Sequence, residues 1–355
     1  MRAAYVTEPG PAEAIRVAEL PTPAPGPSDV LVRVSAAAVN RVDTHIRAGR
    51  YPTPMPLPFV VGRDLTGVVA EAPRATGFRA GDAVWCDSLG HAGRQGACAE
   101  YAVVPAERLY RLPPGADPVE AVAALHPAAT AYLGLHRRVG VAGGRTILVG
   151  GGAGNVGAAV VQLATEAGLR VLATARPADH GLVRDLGAEA VVDYAAPDLA
   201  QRVRTLAPAG VDVHWDTSGR VSIAAAADLM ATGGTVVVTA GRDPQPATSW
   251  WPLYTRDIRV VGFVLSLATV EELASAAAAI NRRLAGPGLR VRIARRLPLG
   301  ETAEAHRLVE AGIRGRVVIH PVCRPRARRW PRRGAASDRP PGAPAAARPR
   351  RRRRT

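Results

Sequence analysis

The residues best suited to chemistry are three glycines spaced three positions apart: Gly151, Gly154 and Gly157. They follow an apolar run, residues 146–149, and precede an amphipathic stretch, residues 158–164. This pattern predicts a strand, a tight turn and the start of a helix. Glycines in that order let backbone amides and the helix N-terminus approach a pyrophosphate that side chains would block. We therefore predict a dinucleotide site, with a glycine-rich loop of an unrelated α/β protein as the alternative.

A second predicted strand, residues 171–174, completes a βαβ unit. A site that prefers NAD has Asp or Glu at the end of this strand, where the carboxylate binds the ribose hydroxyls and repels a 2′-phosphate. This chain has Arg176 there instead. A guanidinium pairs bidentately with phosphate oxygens, so Arg176 favours NADPH, although a solvated arginine is the alternative. Asn155 and Val156, at the predicted helix start, are expected to contact the pyrophosphate.

The composition allows two hydrophobic cores, because the chain has 355 residues and 47% of them are hydrophobic. No run of about 18 apolar residues is free of charge, and the first residues are strand-like instead of resembling a signal peptide. We therefore expect a cytoplasmic protein without membrane contact. The three cysteines, Cys86, Cys98 and Cys323, are odd in number and widely spaced, which argues against a disulfide framework.

The net charge of +16 is concentrated at the C-terminal end. Residues 321–355 contain thirteen arginines and one aspartate, which leaves a net charge of +4 for residues 1–320. This tail is rich in proline, alanine and arginine, so it is predicted to be disordered. Contact with nucleic acid is one interpretation of the tail, but it offers only Trp330 for stacking on bases. We favour a solvated appendage.

The basic residues exclude several enzyme classes. All 46 residues counted as lysine or arginine are arginine. Schiff-base formation, the phosphate contact of a P-loop lysine and general-base catalysis by lysine are therefore excluded.

The pattern of elements changes near residue 120. Before it, short β patterns separated by turn formers predict a compact, β-barrel-like domain. After it, apolar helices alternate with strands, as a helix-covered parallel sheet requires. The strands predicted in this second region are residues 171–174, 190–192, 211–215, 235–238 and 258–261. The elements predicted to return to the first domain are a strand at 291–293, a helix at 301–310 and a strand at 316–319.

Several motifs along residues 1–320 occur in an order that resembles the medium-chain dehydrogenase/reductase superfamily. They are residues 39–51, 62–69, 81–84, 99–101, 130–132, the glycine turn, 186–188 and 193–194. Within it, the chain resembles the zinc-free, zeta-crystallin-like NADPH:quinone oxidoreductases. The resemblance implies an α/β fold in which a GroES-like, β-rich substrate domain, residues 1–120 and 266–320, encloses a Rossmann domain with a doubly wound parallel sheet, residues 121–265. The tail, residues 321–355, lies outside it.

Metal dependence is the first question that the resemblance raises, because zinc alcohol dehydrogenases of this superfamily polarise a substrate oxygen with Zn²⁺. Asn40 stands near the position of a cysteine in those relatives, and Arg63 replaces a histidine ligand. The four-cysteine structural zinc lobe is absent. Cys86, His91 and Cys98 match no standard zinc spacing. We therefore expect no metal.

The resemblance also assigns positions around the cofactor. Tyr51 and Asn40 are the candidate catalytic residues: Tyr51 or a bound water stabilises or protonates the developing oxyanion, and Asn40 orients the ring or the substrate. Beyond the glycine turn and Arg176, the positions expected to contact NADPH are Thr130, His180, Tyr194, Gly241, Phe263, Leu265 and Arg316. His180 replaces a lysine that the family commonly has, and it binds phosphate well only when protonated.

The expected function is zinc-independent hydride transfer from NADPH to a quinone or another α,β-unsaturated carbonyl, with the protein fixing distance and face. Three alternatives stay open. They are an enoyl or alkenal reductase with little quinone activity, an NADPH-binding protein that contacts nucleic acid through the tail, and a zinc alcohol dehydrogenase. The resemblance further implies a homodimer formed by strand pairing between Rossmann domains.

Overall fold

The computed structural model describes residues 1–241 and 249–321, so the predicted tail lies outside the described residues apart from Pro321. The strands are β1 (Arg2–Val6), β2 (Arg16–Glu19), β3 (Asp29–Val39), β4 (Phe59–Val60), β5 (Asp64–Glu71), β6 (Ala83–Cys86), β7 (Tyr101–Pro105), β8 (Tyr110–Arg111), β9 (Thr146–Gly150), β10 (Arg170–Ala175), β11 (Ala190–Asp193), β12 (Val211–Asp216), β13 (Met230–Val238), β14 (Arg259–Gly262), β15 (Ile293–Pro298) and β16 (Arg316–His320). The helices are α1 (Arg41–Arg47), α2 (Pro118–Tyr132), α3 (Asn155–Glu166), α4 (His180–Asp185), α5 (Leu199–Leu206), α6 (Ile223–Ala227), α7 (Trp251–Thr255), α8 (Val270–Ala285) and α9 (Thr302–Glu310), and a π-helical segment, Leu133–Val139, follows α2. Over these residues, no helix is both long and apolar enough to cross a membrane.

The β-rich part of the molecule is built around a sheet with the strand order β15-β16-β3-β5-β6-β8, to which β7 adds by pairing with β3. A smaller sheet has the order β2-β1-β4. Alternate residues of β3, among them Val30, Val32 and Val34, are buried in one apolar cluster, as the period of a half-buried strand requires. Because β16 pairs antiparallel with β3, placing Val317 opposite Val39, the last described strand joins the N-terminal sheet.

The second sheet is entirely parallel and has the order β11-β10-β9-β12-β13-β14. Successive residues of the central strand β9 pack on opposite faces: Ile147 and Val149 belong to one apolar cluster and Leu148 to another. This burial on both faces explains the continuous apolar run in the sequence. The order reverses between β9 and β12, and in such sheets the carboxyl ends at the reversal point form the ligand crevice.

The turn between β9 and α3 requires glycine at two positions. Gly151 has a φ of +74°, in the left-handed region that strains other residues. A Cβ at Gly157 would overlap the carbonyl oxygen of Gly151, so a side chain there would push the turn away from the helix. The Gly152 N–H donates to the Thr174 carbonyl at 2.8 Å, which ties the turn to the end of β10.

Helix α2 contacts both β5 of the first sheet and α3 of the second domain. Its start is well defined: the Asp117 side chain accepts hydrogen bonds from the N–H groups of Val119 and Glu120 at 2.8 and 3.0 Å, and Pro118 occupies the first helical position. The Thr66 hydroxyl of β5 donates to the Pro118 carbonyl at 3.0 Å. Residues on α2 are therefore held between the two parts of the molecule.

Every strand predicted within residues 171–261 overlaps an observed strand, but the strand predicted at 291–293 is wrong in position. Strand β15 begins at Ile293, where pairing with β16 starts, and ends at Pro298. Of the two preceding arginines, only Arg290 has its backbone engaged elsewhere, since its N–H donates to Gln162 at 2.9 Å. The Arg292 carbonyl accepts the Arg316 N–H of β16 at 2.7 Å and so forms the first bond of the pair. Tertiary contacts have overridden the local alternation.

Candidate active site

The start of α3 presents unused backbone donors at the glycine turn. The first bond of the helical ladder runs from the Ala158 N–H to the Gly154 carbonyl at 2.8 Å, so the N–H groups of Asn155, Val156 and Gly157 precede the ladder. Over the described ranges these three groups have no hydrogen-bond acceptor. Free donors and the positive end of the helix dipole fit a pyrophosphate, so the residues present fit a bound dinucleotide.

Arg176 lies directly after β10, held by a carboxylate. Its Nε donates to Oδ2 of Asp179 at 2.6 Å, and its two Nη groups have no protein partner in the part of the chain that the structure describes. Asp179 also meets Arg292 at 3.1 Å and Arg314 at 3.9 Å. Burial opposes ionisation of Asp179, but the hydrogen bonds from Arg176 and Arg292 outweigh it and lower its pKa. The Nη groups of Arg176 are therefore oriented and available to an anion.

His180 and Tyr194 lie beyond the ends of the neighbouring strands. His180 begins α4, and its Nε2 donates to the Ala175 carbonyl at 3.0 Å, since a carbonyl can only accept. That bond leaves Nδ1 as the ring nitrogen that could meet a phosphate. Tyr194 follows β11 with its side chain exposed. Contact of either residue with a cofactor stays a prediction.

The loops after β13 and β14 carry the remaining predicted cofactor positions. Gly241 has a φ of +111°, and its backbone packs against the loop at Gly219. The Phe263 ring meets Trp215 edge-on at a centroid distance of 5.9 Å, and Leu265 is buried. These residues border the carboxyl ends of the parallel strands, where the crevice is expected.

A buried carboxylate, Asp64 at the start of β5, brings Asn40 and Arg316 together. Asn40 Nδ2 donates to Asp64 Oδ2 at 2.9 Å, and Arg316 Nη2 donates to the same oxygen at 3.1 Å. Asp43 in α1 accepts a hydrogen bond from the Asn40 N–H at 2.7 Å. Asn40 was predicted at the nicotinamide and Arg316 at the cofactor, but both are bound to a carboxylate that sequence reasoning did not single out.

Burial dominates the ionisation of this cluster. It raises the pKa of Asp43 to about 6 although Arg63 opposes the shift, and it raises the pKa of Asp87 to about 6 as well. Burial also raises the pKa of Asp64 well above its usual value, against the opposing charge of Arg316. These carboxyl groups keep a proton at pH values at which exposed carboxyl groups have lost it.

Arg63 links the β-rich domain to the loop after β14. Its Nη1 donates to the Ser266 hydroxyl at 2.9 Å, within the short 3₁₀ turn Leu265–Leu267. Its Nε and Nη2 are buried and have no hydrogen-bond partner among residues 1–241 and 249–321. Unused guanidinium donors attract an oxygen atom and repel a metal cation.

Tyr51 lies against His91, with the two rings edge-to-face at a centroid distance of 5.8 Å. Burial, together with Arg63 and Arg94, lowers the pKa of His91 to about 4, so this imidazole is neutral near pH 7. No hydrogen bond joins Tyr51 to Asn40 where the structure describes the chain.

Helix α2 carries His126 and Thr130 one turn apart on one face. The Thr130 hydroxyl donates to the His126 carbonyl at 2.9 Å. His126 Nδ1 lies 3.8 Å from Asp64 Oδ1, and burial, Arg63 and Arg316 lower the pKa of His126 well below its usual value. Sequence reasoning missed His126, although its spacing of four from the predicted cleft residue Thr130 was an available signal.

A cavity of about 300 Å³ lies against another face of α2. Its lining combines Ala124 and Ala128 with the start of α3 and residues 289–292. Neither His126 nor Thr130 lines it, because these two residues are turned to a different face of the helix. The cavity is therefore separate from the space that His126 and Thr130 border.

Comparison with known proteins gives the class and the family. The alcohol dehydrogenase GroES-like domain model matches residues 26–114, and the zinc-binding dehydrogenase model matches residues 155–280. The quinone oxidoreductase of Lama guanicoe is 30% identical over 325 residues, covering 90% of this chain and 97% of its own. A solved NAD-dependent alcohol dehydrogenase is 30% identical with a TM-score of 0.82, covering 90% of this chain and 99% of its own. A mycobacterial protein solved with NADPH is 31% identical with a TM-score of 0.79, covering 90% of this chain and 100% of its own.

A GroES-like domain joined to a Rossmann-type sheet defines an oxidoreductase of the medium-chain dehydrogenase/reductase superfamily. Within that superfamily, the chain belongs to the zeta-crystallin-like quinone oxidoreductase family. The predicted family and the predicted two-domain α/β fold class are confirmed. The exact domain bounds and the roles of the individual site residues stay predictions.

The second family description names zinc, and the residues at the corresponding place do not fit that ion. Asn40 directs its amide donor at Asp64, Arg63 is a cation, and Asp64 is paired with Arg316. Over residues 1–241 and 249–321, no group of three or more His, Cys, Asp and Glu side chains is arranged to hold a metal. Cys86 and Cys98 are buried free thiols, and burial raises the pKa of both.

Proposed function

We propose that this protein transfers hydride from NADPH to a quinone or another α,β-unsaturated carbonyl and that it needs no zinc. The observation that carries the proposal is Arg176, fixed at the end of β10 by Asp179 with both Nη groups unused. The NADPH complex of a relative 31% identical supports the cofactor, and quinone oxidoreductases 30% identical support the acceptor. Because one structural relative is NAD-dependent, cofactor preference is the point to test first.

Each part of the crevice has its own task in the proposal. The N–H groups at the start of α3 bind the pyrophosphate, and Arg176 binds the 2′-phosphate, assisted by Nδ1 of His180 when that ring is protonated. The side chain of Tyr194 and the loops at Gly241 and Phe263 flank the cofactor. When bound, NADPH supplies the hydride, so the protein has to orient the acceptor and stabilise its developing charge.

The candidate catalytic residues would provide that orientation and stabilisation without a metal. Asn40 has its amide donor committed to Asp64, so the buried Oδ1, which has no partner in the described parts of the chain, is the atom that can orient a ring or a substrate. The Tyr51 hydroxyl is the candidate donor to the developing oxyanion. Thr130 lies on the cleft-facing side of α2 and would border the nicotinamide.

We infer a homodimer from the edge of the parallel sheet. Strand β14 ends the strand order, and Val260 on it is 40% exposed. Leu267 and Trp251 close by in sequence are also large exposed apolar residues. Pairing of two such edges would bury both. Light scattering of the full chain should give twice the monomer mass of 37.1 kDa, and a monomeric mass would refute the dimer.

Steady-state kinetics with NADPH and NADH, each against a small panel of quinones and enones, test the function directly. We expect turnover of quinones with a preference for NADPH of about tenfold or more in kcat/KM, since one phosphate contact is at stake. Metal analysis of the same preparation should find zinc far below one atom per chain. Turnover of enones alone identifies a double-bond reductase, whereas stoichiometric zinc with alcohol oxidation would show that the proposal is wrong.

A further inference from the structure

His126 spans the distance between a buried acid and the open side of α2. Its Nδ1 and the Oδ1 of Asp64 lie 3.8 Å apart, and both atoms are buried without a hydrogen-bond partner over residues 1–241 and 249–321. The side chain is nevertheless 16% exposed. Because Nδ1 is the buried nitrogen, the exposed edge of the ring is the one that carries Nε2.

The face of α2 that carries His126 is the one that carries Thr130, since residues four apart share a helix face. The hydrogen bond from the Thr130 hydroxyl to the His126 carbonyl fixes the rotamer of Thr130 on that face. Thr130 is predicted to border the nicotinamide. Nε2 of His126 is therefore on the side from which a bound acceptor would approach.

The surroundings of Asp64 and His126 favour one proton shared between the carboxyl group and Nδ1 of the imidazole. Burial, together with the charges of Arg63 and Arg316, lowers the pKa of His126 and so favours the neutral imidazole. Burial and the nearby Asp43 favour the protonated form of Asp64, and Arg316 opposes them. A protonated Asp64 beside a neutral imidazole makes Nε2–H the outer donor, as in a relay that supplies a proton from an inner carboxyl group.

We propose that His126 is the proton donor of the reaction and that Asp64 resupplies it, a step that rests on the proposed hydride transfer. The acceptor gains two electrons with the hydride. The Nε2–H bond of His126 then breaks as the acceptor's O–H bond forms, while the Asp64 O–H bond breaks and an Nδ1–H bond forms. The pair loses one proton and no electrons, and water returns the proton after product release.

The carboxylate left on Asp64 is stabilised by contacts already in place. Asn40 Nδ2 at 2.9 Å and Arg316 Nη2 at 3.1 Å both donate to its Oδ2, which leaves Oδ1 for His126. The separation of 3.8 Å exceeds a hydrogen bond, and such catalytic contacts often shorten only when substrate binds. Tyr51, the other candidate donor, has no ionisable partner bonded to its hydroxyl in the described ranges. It lacks an inner proton source.

The test compares three substitutions in the full chain: His126→Phe, Tyr51→Phe and His136→Phe. His136 is a matched control, because it lies in the π-helical segment against Tyr132 at a ring distance of 4.7 Å and faces no residue of the Asp64 cluster. We expect His126→Phe to lower kcat for quinone reduction about 100-fold or more with unchanged NADPH affinity by fluorescence titration. We expect the control to match the wild type, and the wild-type solvent deuterium isotope effect on kcat to be absent in His126→Phe.

Two further variants separate an effect on the chemistry from an effect on folding. In His126→Ala, added imidazole should restore turnover, because it can fill the vacated space and contact Asp64. In Asp64→Asn, kcat should fall with unchanged NADPH affinity, but imidazole should have no effect, since His126 still occupies its place. Wild-type turnover in His126→Phe, or loss of the solvent isotope effect in Tyr51→Phe alone, overturns the proposal. If the wild-type protein instead reduces none of the quinones or enones tested, the proposed function is wrong, and this inference fails with it.

Discussion

Two carboxyl groups, Asp64 and Asp179, each pair with arginine, yet their pKa values are shifted in opposite directions. Asp64 is fully buried and hydrogen-bonded to one arginine, and its pKa is raised. Asp179 is 7% exposed and meets three arginines, two of them within hydrogen-bond distance, and its pKa is lowered. An ion pair by itself therefore does not decide the charge state. The balance between desolvation and the number of partners decides it.

The arginines that pair with Asp64 and Asp179 differ in their exposure to solvent. Arg316 is 3% exposed on its side chain, whereas the side chains of Arg176 and Arg292 are 35% and 39% exposed. An arginine that keeps contact with water can give its free Nη groups to an anionic ligand, and the partner carboxylate mainly orients it. A sealed arginine has no such freedom, so it serves to stabilise charge on its neighbour. The Asp179 group is thus suited to binding and the Asp64 group to proton storage.

The largest expected effect is on stability, from the matched pair Asp64→Leu and Asp179→Leu. Asp64→Leu removes the oxygen that accepts the hydrogen bond of the buried Arg316, and because arginine cannot lose its proton the free energy of unfolding should fall by about 3 kcal/mol or more. Asp179→Leu leaves arginines that water can solvate, so the loss should be about 1 kcal/mol or less. Urea denaturation followed by circular dichroism measures both. Equal losses would remove the contrast between the two clusters.

The pH dependence of stability gives the next largest effect, through Asp43→Asn. Burial raises the pKa of Asp43 from 3.8 to about 6, so between those values the unfolded chain releases a proton that the folded chain keeps. The contribution of Asp43 to stability therefore falls as pH rises through this window. The free energy of unfolding of the wild type minus that of Asp43→Asn should decrease by about 2 kcal/mol between pH 4 and pH 6.

Asp179→Asn is the control for that experiment, since the pKa of Asp179 is shifted in the direction opposite to that of Asp43. The pKa of Asp179 is lowered, so its stabilisation is complete above the unfolded pKa and is lost only as pH falls further. The difference between wild type and Asp179→Asn should stay flat between pH 4 and pH 6. A difference that rises with pH for Asp43→Asn would contradict the raised pKa.

The smallest effect in free energy concerns NADPH binding at Arg176, the arginine that pairs with Asp179. Arg176→Gln should weaken NADPH binding about 10- to 100-fold and leave NADH binding unchanged, because only the 2′-phosphate contact is lost. Arg314→Gln is the matched control, since Arg314 is 55% exposed and lies 3.9 Å from the same carboxylate. Fluorescence titration with both cofactors measures the effect. Equal weakening by the two substitutions would show that general positive charge, and not the position of Arg176, binds the cofactor.

Much of the fold could be predicted because its signals are local. The glycine spacing at 151, 154 and 157 marks a turn in which Gly151 has a positive φ and a Cβ at Gly157 would overlap the carbonyl oxygen of Gly151. The apolar runs of the parallel strands reflect burial on both faces. The displaced strand at 291–293 shows the limit. The residue types there alternate as in a strand, but the Arg290 N–H is bonded to Gln162 on α3, and pairing with β16 begins only at the Arg292 carbonyl and Ile293.

The site was predicted less completely, since charge and proton affinity depend on neighbours that are distant in sequence. The sequence by itself determined the dinucleotide turn, the arginine at the end of the second strand and the absence of the usual zinc-ligand residues, because each of these is a matter of residue type at a given place. Only the tertiary structure paired Asp64 with Arg316, 252 positions away, and brought Asp64 near His126. Desolvation acts on what surrounds a group in space, and it is the main cause that raises the pKa of Asp64 well above that of an exposed aspartate.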